Sequence, residues 1–322
     1  MQALLYKKIT LKNKVKSLQN QTSVKVNPIV LFVIFIVGLL AALPLRVYQL
    51  LTAVEPGTGF WKAQDFTVYI MYAVLAVLVF LFFMISFSYK SGLGKAPDVT
   101  AGGAVIGIIS LAVAASLVYN FVTRYSNFFE LYNAYVPNPD ISLRRHLAKT
   151  GALSMLLEAA FAVLSGLYFV LYGITSLNKK SASSLRLMAI TPVLWCVFRI
   201  VHRYMRTISF INVSELFFEL LMLVFLIAFF MGFAQVTSKV NSAGIEWKLF
   251  AYGMPAALLA LICFVPRVVL TLLGKAEFIA DGSSIEFCDL TVAAFIVAAL
   301  VDRARIFSVT LNKGTQKIPD ED

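Results

Sequence analysis

Ionisable side chains in this 322-residue chain fall where apolar ones are the rule. Glu158, Arg199, His202, Arg203, Glu215 and Glu219 all lie within long hydrophobic stretches. Arg199 and Arg203 are spaced i,i+4, so they share one face of a helix, and Glu215 and Glu219 do the same on the next. Read as an antiparallel hairpin turning near Ser209, the numbering pairs Arg203 with Glu215 near a surface. It pairs Arg199 with Glu219 about 10–12 Å deeper, at 1.5 Å rise per residue. Glu158 enters its own segment to a similar depth. Buried charges are costly and usually face a bundle interior, so two chemistries compete. In one, each arginine and acid neutralise each other and fix helix registry. In the other, Arg199, His202, Glu219 and Glu158 line an outward-facing polar pocket for an ion or small molecule. The acid left over would be protonated or would meet His202. Shallower pairs follow from the same sums: Arg46 with Asp65, and Arg267 with Asp289 or Glu286.

The elements that carry these residues are set by composition. The chain is 60% hydrophobic and only 14% charged, with a mean hydropathy of +0.82. A soluble domain is about 25% charged, so there is too little polar surface here to cover a water-soluble globule. A hydrocarbon core about 30 Å thick needs roughly 20 apolar residues per helix. Eight segments meet that length: 28–53, 66–88, 101–123, 151–177, 187–209, 213–237, 248–273 and 286–304. The expected architecture is all-α, a polytopic transmembrane helix bundle of about eight spans. Residues 1–27 form a cytoplasmic basic segment, 28–304 the transmembrane domain, and 305–322 a cytoplasmic polar tail. In residues 1–27, Leu4, Leu11, Val15 and Leu18 make an apolar stripe among lysines, which suits an interfacial amphipathic helix. No cleavable leader is expected.

Charge sets the orientation. With both termini inside, the inner segments hold seventeen basic residues against six acids, and the outer ones eleven against eleven. The whole formal excess of +11 then lies on the cytoplasmic side, as Lys and Arg asymmetry requires. Omitting the fifth segment, interrupted by Arg199, His202 and Arg203, would invert this for the C-terminal half. The basic excess also favours anionic inner-leaflet lipids at the N-terminus, and no aromatic-interleaved basic surface points to nucleic acid. The longest connection, 124–150, is an outer one rich in aromatic residues.

A repeat is visible. Asp65 to Met84 and Asn212 to Met231 align without a gap. In three of four hairpins the odd segment carries a proline (Pro44, Pro192 or Pro266) and ends on arginine, and the even one opens on an aromatic and an acid. Chemistry-bearing motifs are missing elsewhere. There is no Walker A loop, HExxH or GxSxG, and GLGKAP at 92–97 is a short turn. Cys196, Cys263 and Cys288 form no paired spacing, and two histidines make no metal site. No catalytic role, cofactor or metal is therefore expected.

The stretch PLRVYQLLTAVEPGTGFW, residues 44–61, resembles segments of uncharacterised multi-spanning membrane proteins of Firmicutes-type bacteria. The resemblance covers the first hairpin and, loosely, the fifth and sixth segments. It implies a bacterial plasma membrane and carries no activity. Transport or sensing of a small molecule or ion is the leading expectation. A non-catalytic membrane scaffold or assembly factor, with purely structural ion pairs, is the alternative.

Overall fold

The computed structural model describes residues 28–56, 61–62, 65–88, 103–135, 142–180, 182–206, 215–238, 245–279 and 285–315. The basic segment 1–27 and the end of the polar tail lie outside the described residues. Those described are helical almost throughout. The helices are α1 (Ile29–Thr52), α2 (Phe66–Ser88), α3 (Ala104–Asn133), the short α4 (Leu143–Lys149), α5 (Ala152–Leu177), α6 (Thr191–Arg206), α7 (Leu216–Thr237), α8 (Glu246–Leu272) and α9 (Phe287–Thr315).

Six of them, α1, α2, α3, α5, α7 and α8, are long and apolar enough to cross a membrane. Their surfaces agree. Leu40 on α1 and Phe80 on α2 are 71% and 61% exposed, which water would penalise and lipid would not. The chain is a multi-pass helical membrane protein. α6, at 16 residues, reaches only about 24 Å. α9 is long enough but carries Asp289, Asp302, Arg303 and Arg305.

Boundaries differ from the sequence expectation at three places. α3 does not stop at 123 but runs to Asn133. An aromatic ladder at helical spacing leads into and along its extra turns, Phe121 on Tyr125 at 5.8 Å and Phe128 on Tyr132 at 6.3 Å. The expected long connection therefore begins as helix, and α4 occupies its far end. Ser142 accepts from Arg145 N to start α4. Gly151, at φ 70, turns the chain into α5 in a conformation that disfavours any side chain. α6 begins at Thr191, after two 3-10 turns, with Pro192 in the first helical turn, where its missing N–H costs nothing. α9 continues past 304 to Thr315.

Packing gives the arrangement. α3, α5, α6, α7, α8 and α9 are successive neighbours, and α9 returns to α3, so six helices close a ring. α1 and α2 pack on each other and on the outside of α8. The α3–α5 contact is the closest kind. A Cβ on Gly173 would sit 3.0 Å from the Gly107 carbonyl, and one on Gly107 would sit 3.1 Å from the Gly173 carbonyl. Lipid provides no hydrophobic drive between helices, and such small-residue approach is how dispersion replaces it. The interior of the ring is filled by edge-on aromatics. Phe169 meets Phe295 at 5.1 Å and Phe230 at 6.0 Å, and Phe233 meets Phe295 at 5.3 Å.

Candidate functional site

The charges expected from sequence collect at one end of the bundle. Five arginines (Arg46, Arg124, Arg199, Arg203 and Arg267) and five acids (Glu158, Glu215, Glu219, Glu286 and Asp289) are buried at that end, none more than 5% exposed. They come from the last turns of α1, α6 and α8, from the middle of α3, and from the opening turns of α5, α7 and α9. Their formal charges cancel.

Arg199 is the hub. Its Nη1 and Nη2 donate to the two carboxylate oxygens of Asp289 at 2.5 and 3.0 Å, a bidentate fork. The same Nη2 lies 3.1 Å from Glu219 and 3.1 Å from Glu286. The Trp195 ring, one turn earlier, sits 5.7 Å from the guanidinium carbon. Arg203, one turn later, donates to Glu219 Oε1 from Nε at 3.0 Å and from Nη2 at 2.7 Å, and that Nη2 lies 3.4 Å from Glu286. Arg267 reaches Glu215 at 3.2 Å and Glu219 at 3.7 Å. Arg124 donates from Nε to Glu158 at 3.2 Å and pairs through Nη2 with Glu286. Arg46 lies over the Phe218 ring at 4.7 Å and the Trp61 ring at 5.4 Å, beside Glu215 and Arg267.

Compared with the sequence pairing, Arg199 does meet Glu219. The other sums need correction. Arg203 takes Glu219 and Glu286, while Glu215 goes to Arg267. Asp289 is held by Arg199, with Arg267 turned toward α7. Arg46 stacks on aromatic rings, and Asp65 accepts from the Thr67 N–H and hydroxyl at 2.9 and 2.8 Å. Those bonds hold the Asp65 carboxyl below its usual range and start α2. The reason is geometric: summed numbering relates only the two helices of one hairpin, whereas a closed ring brings each end against two neighbours. Glu158 is not left over, because Arg124 neutralises it. His202 meets Ser154, its Nδ1 3.3 Å from the hydroxyl.

Two members escaped sequence reading as site residues. Arg124 stands where hydropathy first falls, so it looks like an interface marker. The continuation of α3 is what turns it inward. Glu286 was visible only as an alternative partner for Arg267, yet it contacts Arg124, Arg199 and Arg203. Of the residues expected to line a pocket between segments four, five and six, Arg199, Glu219 and Glu158 are each engaged in ion pairs. Beside the cluster, a polar cavity of about 60 Å³ lies between α3 and the start of α9, lined by Ser116, Asn120, Arg124, Glu286 and Cys288 among others. Asn120 Nδ2 donates to Glu286 at 3.4 Å, and its buried Oδ1 meets no donor among the described residues. A cavity of that size, with Asn120, Arg124 and Glu286 on its wall, has room and polar partners for water.

Glu286, Cys288 and Asp289 place ligand-type atoms within 4.8 Å of one another. Both carboxylates are already engaged by guanidinium groups, and Arg124, Arg199 and Arg203 surround them. A cation would have to displace those bonds and sit among three positive charges, so the residues do not suit a metal. Comparison with protein-family models, curated proteins and solved structures finds no match in any of the three.

Proposed function

We propose that this is an eight-span protein of a bacterial plasma membrane, with both termini cytoplasmic, that transports or senses a small solute or ion by re-pairing its buried charge cluster. The shared contacts carry this reading. Arg199 touches three acids, and Glu219 and Glu286 each touch three arginines. Leaving one such charge unpaired costs several kcal/mol, so a cluster of exclusive pairs would lock its helices. With shared partners, a guanidinium can shift between Glu219 and Glu286 while another arginine still holds each of them. Helix ends can then shift relative to one another at low cost, which is what a two-state membrane protein requires. The aromatic rings of Phe169, Phe230 and Phe295 close the ring interior below the cluster, so passage would need a second arrangement, whereas sensing needs only the shift.

The eight-span count adds α6 and α9 to the six apolar helices. It is supported by the pairing of α6 and α9 charges with each other and by the tally of basic residues. The alternative, a scaffold whose ion pairs are purely structural, is favoured by the equal numbers of buried arginines and acids. A deletion strain separates the two. It is screened for altered uptake of, or response to, a panel of labelled small solutes, then complemented with wild type or with Arg199→Met/Asp289→Leu. Transport or sensing predicts that the double variant reaches the membrane folded and fails to complement. Full complementation would leave only the structural role.

A further inference from the structure

Beside the contact between α3 and α9, the two helices leave a gap that runs from Leu290, next to Asp289 of the charge cluster, to Asp302 and Arg305 toward the opposite end of the bundle. A cleft of about 500 Å³ opens between them. Its walls include Ile109 of α3 and Ala294, Val297 and Ala298 of α9, and its floor is Leu261 of α8. Three alanines, Ala293, Ala294 and Ala298, face it where longer side chains would fill it. Leu290 to Arg305 runs roughly 22 Å along α9 at 1.5 Å rise per residue. One leaflet is about 15 Å deep, half of a 30 Å core. The cleft is therefore long enough for a whole acyl chain, and it penetrates to α8, the most buried of the six apolar helices.

Its polar end is specific. Asp302 and Arg305 both line the cleft, three residues apart on one face of α9. Arg303, between them, turns the other way, to Glu246 at 3.4 Å. Arg305 is exposed and Asp302 partly so. One cation and one anion side by side complement a headgroup that carries a phosphate and an ammonium.

We propose that this cleft binds a single phospholipid with a primary-ammonium headgroup, of the phosphatidylethanolamine class. One acyl chain lies between α3 and α9 against Leu261, the phosphate meets Arg305, and the ammonium meets Asp302. Bulk annular lipid would cover the exposed Val105 and Leu290 at the cleft rim without entering. A phosphatidylglycerol would satisfy Arg305 but offer Asp302 no cation.

The test uses the full-length wild-type chain in vesicles containing phosphatidylethanolamine with a photoactivatable diazirine in its acyl chain. Adducts are mapped by mass spectrometry. The expected result is adducts on Leu261, Ala294 and Val297 at several times the frequency on Leu40 and Phe80 of α1 and α2. Unlabelled phosphatidylethanolamine should compete several-fold better than phosphatidylcholine or phosphatidylglycerol. Asp302→Asn should abolish that headgroup preference while the cleft adducts persist. Adducts confined to Val105 and Leu290, at the same frequency as on α1 and α2, would mean annular lipid only and would overturn the proposal. Equal competition by phosphatidylcholine, or a cleft cross-linked to another segment of this chain or to a second copy, would overturn it too. Because the adduct map comes from unmodified protein, it stands even if Asp302→Asn fails to fold.

Discussion

Removing Arg199 should cost more than its distance from either end of the bundle suggests, and the loss should trace to one acid. Of the three carboxylates it touches, two keep other partners. Glu219 retains Arg203 at 2.7 Å and Arg267 at 3.7 Å, and Glu286 retains Arg124 and Arg203. Among the side chains of the described residues, Asp289 retains only the Cys288 thiol, at 3.9 Å. Arg199→Met therefore strands one buried carboxylate, a change worth about 3–5 kcal/mol. At about 1.4 kcal/mol per decade, the folding equilibrium should fall by a factor of roughly a hundred to several thousand. Arg199→Met/Asp289→Leu removes the stranded group and should return to within about 1–2 kcal/mol of wild type. Arg199→Met/Glu219→Leu should not recover, because Asp289 is still bare and Arg203 and Arg267 have each lost a partner. The measurement is reversible unfolding in bicelles for wild type, the three single variants and both doubles, with helicity followed by circular dichroism. A double-mutant cycle gives the coupling of Arg199 to each acid. The assignment of Asp289 as the dependent partner is refuted if both doubles recover equally, or if Arg199→Met alone costs less than about 1 kcal/mol.

The same reasoning extends to the other end of the cluster. Arg124→Leu should destabilise by about 3–5 kcal/mol by stranding Glu158, and adding Glu158→Leu should recover most of it, because Glu286 still has Arg199 and Arg203. Arg199→Lys keeps the charge but loses the fork on Asp289, so its unfolding cost should be about 1.5–3 kcal/mol, below that of Arg199→Met. Gly173→Ala drives a Cβ to 3.0 Å from the Gly107 carbonyl and should cost about 1–3 kcal/mol by overpacking. Gly166→Ala, whose nearest atoms are at 3.6 and 3.7 Å, should be tolerated, and thermal unfolding in detergent compares the two. For orientation, a single cysteine at Gly57 should react with an impermeant thiol reagent added to intact cells and one at Ser183 should not, while the reverse pattern would invert the topology.

What the sequence made legible was what depends on one helix at a time. Length and hydropathy located α1, α2, α5, α7 and α8 within a few residues, because a membrane span is a property of its own composition. The i,i+4 spacing of Arg199 and Arg203 likewise placed both on one face, and both do contact Glu219. What was not legible depends on ring closure. The meeting of Arg199 with Asp289, ninety positions away, follows from α6 and α9 converging, and no local pattern encodes that. Arg124 shows a second limit. A charge at the edge of an apolar run ordinarily marks the water boundary, and only the aromatic spacing of Phe121, Tyr125 and Phe129 hints that the helix continues past it.

All five cations of the cluster are arginine, although lysine abounds in the polar segments. A lysine ammonium is a compact, strongly hydrated point charge, and burying it costs more per contact made. The guanidinium spreads its charge over a planar fork whose edges can face different acids at once, as Arg199 does with Asp289 on one side and Glu219 and Glu286 on the other. That geometry explains why five arginines and five acids make nine ion pairs, more than one-to-one pairing would give. It also ties the two readings of the site to one property. A fork shared among several carboxylates stabilises the present arrangement of helix ends, and the same sharing lowers the cost of leaving it. Whether the cluster fastens the bundle or switches it therefore depends on a second set of partners of similar energy. Paired removal of Arg199 and Asp289 is the perturbation that exposes such a set, because it deletes the bidentate fork yet leaves Glu219 and Glu286 each held by other arginines.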